Sequence, residues 1–70
     1  MKVHVSDSAC VTELVKHLLR GGCMSLVVDE TTLEVVYPDA RDAKEAATDI
    51  TFFLRAWQSR HPQVEVTLSS

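Results

Sequence analysis

The side chains best suited to chemistry are two cysteines and the polar residues that precede the first of them. Asp7 and Ser8 stand just before Cys10 at the start of a predicted helix, where the helix N-terminus lowers a thiol's pKa. About ten helical residues, or ~15 Å, separate Cys10 from Cys23, which exceeds the ~7 Å limit for a disulfide. We expect both thiols to be reduced, as in the cytoplasm, and Cys10 to be either a reactive group or a small buried apolar side chain.

The three histidines, His4, His17 and His61, do not have the spacing of metal ligands. His4 is predicted to lie centrally on a sheet face near Glu34 and Glu65, where it could titrate near neutral pH. No nucleophile–base pair, paired carboxylates or phosphate-binding loop is present. We therefore expect no enzyme activity, no metal and no cofactor.

The spacing of apolar residues predicts two helices and four strands. The first helix covers about residues 8–20, with Asp7 at its start and Gly21-Gly22 as its C-cap. The second begins at Asp39 as N-cap and ends before Pro62. Strands are predicted at Lys2–Ser6, Met24–Val28, Leu33–Tyr37 and Val64–Leu68.

The resulting order, βαββαβ, predicts an α+β fold, the ferredoxin-like split βαβ, as a single domain over residues 1–70. Two helices should cover one face of a four-stranded antiparallel sheet of order 4-1-3-2. The expected core on the sheet is Val3, Val5, Leu26, Val28, Leu33, Val35, Val64, Val66 and Leu68. The opposite, open face should present His4, Val27, Glu34, Val36 and Glu65.

Composition bears on which partners the chain can have. The net charge is −3 and the predicted open face has no aromatic residue, so a nucleic-acid partner is not expected. The sequence contains no run of ~18 apolar residues, so a membrane span is not expected. A core of this size seldom yields more than ~3–5 kcal/mol, so we expect self-association. On the second predicted helix, Phe52 points away from the apolar side chains that face the core and lies on the same side as Ala56. Both residues are therefore interface candidates.

At the level of fold, the chain resembles three families of small modules. Ser6–Cys10 falls where heavy-metal-associated domains carry a Cys-x-x-Cys clamp, but Asp7 stands at the first position of the clamp. The same loop lacks the arginine of acylphosphatases. Asp7, followed by Val11 and Leu14, is similar to the start of the first helix in ACT domains, although Ala9-Cys10 replaces their usual Pro-Gly. The ACT resemblance implies a dimer with a small metabolite at its seam.

These patterns lead to two expectations of different class. The first is a non-catalytic, cytoplasmic regulatory or protein-interaction module, a homodimer or a partner of another protein, with a small metabolite as a further ligand. The alternative is a thiol- or metal-handling protein that uses Cys10 in the first β–α loop.

Overall fold

The computed structural model describes residues 1–69. Its strands and helices are β1 (Lys2–Val5), α1 (Val11–Arg20), β2 (Met24–Asp29), β3 (Thr32–Val36), α2 (Ala43–Gln58) and β4 (Val66–Ser69). A short 3₁₀ turn, Ser8–Cys10, leads into α1. The sheet is antiparallel, with the order β2-β3-β1-β4. This confirms the ferredoxin-like α+β fold and the 4-1-3-2 strand order.

One hydrophobic core joins the sheet to both helices. The sheet contributes Val3, Val5, Leu33 and Val35, each at most 1% exposed. Both helices cover this one face of the sheet, because their own buried side chains belong to the same cluster. Those side chains are Val11, Leu14, Leu18, Ile50, Leu54 and Trp57. Helical spacing predicts that Val11, Leu14 and Leu18 point inward, as they do, but it predicts the same for Leu19, which is 66% exposed.

The helix ends follow the expected chemistry at two of four positions, the start and the end of the first helix. Asp7 caps the 3₁₀ turn by accepting from the Ala9 amide at 3.0 Å. Gly22 has φ +91° and closes α1, while the Cys23 amide donates to the Leu18 carbonyl at 2.8 Å. The prediction of Asp39 as the cap of α2 was wrong. Asp42 caps that helix by accepting from the Glu45 amide at 2.8 Å.

The predicted faces of β2 were also wrong, because a bulge lies between Val27 and Asp29. Leu26 is paired with Glu34, and Val27 is paired with the buried Leu33. Cross-strand partners share a face, so Leu26 lies on the open face and Val27 on the helix-covered face. The expected core residues Leu26 and Val28 are 68% and 53% exposed. The bulge adds one residue to β2. Every residue of β2 before the bulge therefore faces the side of the sheet opposite to the predicted one.

The last strand begins two residues later than predicted. Val64 is buried but belongs to the bend before β4, where its carbonyl accepts from the Gln58 side chain at 2.9 Å. Helix α2 ends at Gln58, before the predicted stop at Pro62. Neither shift moves a strand to another place in the sheet.

Candidate functional site

The first β–α loop does bring Asp7, Ser8 and Cys10 together, as the sequence predicts. The Cys10 Sγ lies 3.8 Å from the Asp7 Oδ2, within the one-turn 3₁₀ helix. Cys10 is half-buried, Cys23 is fully buried, and both are free thiols. The loop thus holds one thiol beside one carboxylate.

That environment does not activate the thiol. Partial burial raises the pKa of Cys10, and the nearby carboxylates of Asp7 and Glu13 raise it further. Both effects disfavour the thiolate, which is the nucleophile and the metal ligand. The local electrostatics therefore count against thiol or metal chemistry at Cys10.

We expect Cys10 to react severalfold more slowly with iodoacetamide than free cysteine does at neutral pH. Asp7→Asn should speed the reaction, because it removes the charge that raises the thiol's pKa yet keeps a good helix cap. The reaction is followed by mass spectrometry in a Cys23→Ser background. A Cys10 that reacts faster than free cysteine would contradict this account and restore the thiol-handling alternative.

His4 lies on the sheet, apart from His17 and His61, which line one cleft between the two helices. Within residues 1–69, no group of three or more His, Cys, Asp or Glu side chains is placed to hold a metal ion. His4 is exposed on the open face, and its direct cross-strand partners are Thr32 and Thr67. Glu34 instead lies opposite Lys2. His4 thus lies directly between two threonines, and Glu34 is its diagonal neighbour on the same face.

The remaining candidates occupy different surfaces. Val36 and Glu34 lie on the open face, and Glu65 precedes β4, where its amide donates to the Ser6 hydroxyl at 2.8 Å. The prediction of Val27 as an open-face residue was wrong, since Val27 pairs with buried Leu33 on the other face. Phe52 is 67% exposed on the outer side of α2, with its ring edge-on to Phe53.

The largest group of exposed apolar side chains lies around edge strand β2. Every member is more than half exposed: Met24, Leu26, Val27, Val28 and Val36. We call this group the β2 patch. Met24 is paired with Val36, so the two share the open face with Leu26, while Val27 lies on the helix side. The patch therefore covers both faces of one sheet edge.

Sequence reasoning missed Met24 and Leu26 as surface residues. The only signal was the uninterrupted apolar run Leu26-Val27-Val28, which lacks the alternation that would fix a register. A bulge in such a run exposes residues that strict alternation along the strand would place in the core.

The described surface contains clefts, of which three bear on the candidate sites. One of about 400 Å³ lies between α1 and the end of α2, and is lined by basic side chains. A second, of about 460 Å³, separates α2 from β4. A third, of about 300 Å³, lies beside Val36 and Tyr37. None of the three is lined by Asp7, Ser8 or Cys10, so the predicted loop site does not adjoin any of these clefts.

Comparison with known proteins gives no family. The chain matches no protein-family model, no curated protein and no solved structure. Among residues 1–69, neither helix has the length and apolar character needed to cross a lipid bilayer.

Proposed function

We propose that this chain is a non-catalytic interaction module that pairs with a second copy of itself through strand β2. The observation that supports the proposal is the β2 patch, where apolar side chains are exposed on both faces of an edge strand. An edge strand also presents backbone donors and acceptors that a further strand can satisfy. Pairing would therefore bury apolar surface and complete the ladder in one step.

The two edges of the sheet differ in how well they are protected. Natural edges are protected by lysine, proline, inward charges or short length. Residues 24–28 contain no charge and no proline, so β2 lacks these features before its bulge. The other edge, β4, has four residues and places Thr67 on the open face. Helix α2 lies along β4 as well, whereas β2 is the longer and more apolar edge.

Charge favours one orientation of the two copies. Asp29 and Glu30 lie at the far end of β2, whereas residues 24–28 of the strand carry no charge. Antiparallel pairing about a two-fold axis separates the acids of one copy from those of the other. A parallel arrangement would place like charges side by side, so the antiparallel dimer is favoured.

The helix layer extends the same surface. Leu19 is 66% exposed and lies one turn after Val15 on α1, which packs beside β2. A strand added at β2 would therefore meet Leu19 and Val27 on one side, and Met24 and Leu26 on the other. The cleft that contains Val36 adjoins the patch, so it is the position at which the dimer would hold a small metabolite.

Sedimentation velocity tests the proposal on the wild-type chain between low-micromolar and millimolar concentration. The sedimenting mass should rise from the 7.8 kDa of one chain to twice that value. A mass that stays at one chain up to the highest concentration would exclude the dimer.

A further inference from the structure

The basic residues of this acidic chain are unevenly distributed. The chain has seven Lys and Arg residues and three histidines, against ten acids. Five of these ten basic side chains line the single cleft between α1 and the end of α2, together with one acid, Glu13. They are Lys16, His17, Arg20, Arg60 and His61. We call this cleft the basic groove.

Two half-buried histidines form the inner part of the groove. The His17 Nε2 donates to the Phe53 carbonyl at 2.9 Å, and the His61 Nδ1 donates to the Trp57 carbonyl at 3.0 Å. The His61 ring also stacks on Trp57 with centroids 4.0 Å apart. Both imidazoles are thereby held against α2. The groove thus has a fixed inner wall surrounded by the long, exposed cations Lys16, Arg20 and Arg60.

The cations at the rim are uncompensated. Within residues 1–69, no acid lies within ion-pair distance of Lys16, Arg20 or Arg60. The carboxylate of Glu13 lies 3.4 Å from the His61 Nε2. Three permanent cations and one carboxylate leave two positive charges, which matches the charge of about −1.5 to −2 on a phosphomonoester at neutral pH.

Helix dipoles explain only part of this arrangement. Basic residues in a last turn stabilise a helix, and Arg20 and His17 occupy that position in α1. The dipole accounts for cations at each helix end taken separately. It does not require that the cations of two helices converge on one cleft of about 400 Å³, a volume typical of small-ligand sites.

We infer that the basic groove binds the phosphate group of a small phosphomonoester. Guanidinium groups bind phosphate through paired, charge-assisted hydrogen bonds. The two arginines lie at the end of α1 and in the turn after α2, so they can approach the anion from opposite sides. The groove lies in the helix layer, whereas the β2 patch lies at the sheet edge. Its occupation is therefore independent of the proposed dimer.

The only tryptophan of the chain, Trp57, lines the groove and reports binding directly. The wild-type chain is titrated with glycerol 3-phosphate, inorganic phosphate and succinate, following Trp57 fluorescence and amide chemical shifts. We expect saturable changes confined to α1 and the end of α2, with the ester binding more tightly than inorganic phosphate. Succinate should bind most weakly. Equal binding of succinate would overturn the assignment to phosphate.

Charge variants separate a site from general attraction. Arg20→Gln should weaken binding about tenfold, the loss of one charge-assisted hydrogen bond. Arg55→Gln is the matched control, because it removes the same charge from the last turn of α2 outside the groove. It should change affinity less than about twofold, as expected for a distant exposed charge.

Glu13→Gln provides a test that does not depend on loss of binding. Removing the carboxylate that faces His61 should tighten phosphate binding severalfold, because the bound anion no longer has a negative charge beside it in the groove. The inference is overturned if no saturable change occurs, if Arg20→Gln and Arg55→Gln act alike, or if Glu13→Gln leaves the affinity unchanged.

Discussion

Leu18→Ala is expected to leave the monomer barely stable at room temperature. Leu18 is fully buried where α1 meets the sheet. Leucine-to-alanine changes at such positions cost about 2–5 kcal/mol, because apolar contacts are lost and a cavity remains. A lone core in a chain of this length yields only about 3–5 kcal/mol. A single truncation therefore removes most of the stability of the monomer.

The adjacent residue supplies the control. Leu19 is 66% exposed, and Leu19→Ala should change the free energy of unfolding by less than about 0.5 kcal/mol in dilute protein. Urea denaturation followed by circular dichroism measures both variants. Equal losses of stability would mean that α1 does not present Leu18 to the core, and would contradict the packing described above.

Leu26→Lys is expected to abolish self-association without harming the fold. The substitution places a charge in the β2 patch, and a two-fold dimer contains it twice. A cost of about 1.4 kcal/mol per copy already raises the dissociation constant about a hundredfold. In the monomer, the introduced ammonium group lies directly opposite Glu34, so a cross-strand ion pair can form. Monomer stability should therefore be unchanged.

Phe52→Lys is the control for this experiment. Phe52 is 67% exposed and Leu26 is 68% exposed, so the two changes remove similar apolar surface from different parts of the molecule. Sedimentation should show a monomer for Leu26→Lys and an unchanged dimer for Phe52→Lys. The reverse result would move the interface to the outer side of α2, where Phe52 and Ala56 lie.

Much of the fold could be predicted from spacing alone. The stripe that contains Leu14 and Leu18 repeats at helical intervals, and Gly22 marks the end of α1 because it takes a positive φ. Val3 and Val5 alternate with polar residues, which fixes the face of β1. Where period and end signals agree in this way, sequence and structure agree.

The faces of β2 could not be predicted, because the alternation of side chains along a regular strand does not reveal where a bulge lies. The turn is set by Asp29, whose carboxylate accepts from the Thr31 amide at 2.9 Å, a contact that lowers its pKa. Asp29 then pairs with Thr32, and the extra residue at Val28 shifts Leu26 from the core face to the open face. With apolar residues at three successive positions, hydrophobicity does not penalise either register.

The candidate surfaces were missed for related reasons. Exposure of Met24 and Leu26 depends on that bulge. The basic groove depends on how α1 packs beside α2, which brings Arg20 and Arg60 together from 40 positions apart in the chain. The sequence predicts Cys10 at the start of the first helix, where a helix N-terminus would lower the thiol's pKa. That its neighbours raise this pKa depends on the geometry of the Asp7 carboxylate.

The most direct test of the β2 interface is an NMR experiment on a mixture of ¹³C-labelled and unlabelled chains, which detects contacts between copies only. We expect intermolecular contacts among Met24, Leu26 and Val27, with backbone proximities that reverse direction about a two-fold axis. An associated state whose intermolecular contacts fall elsewhere, on Phe52 or on β4, would contradict the account.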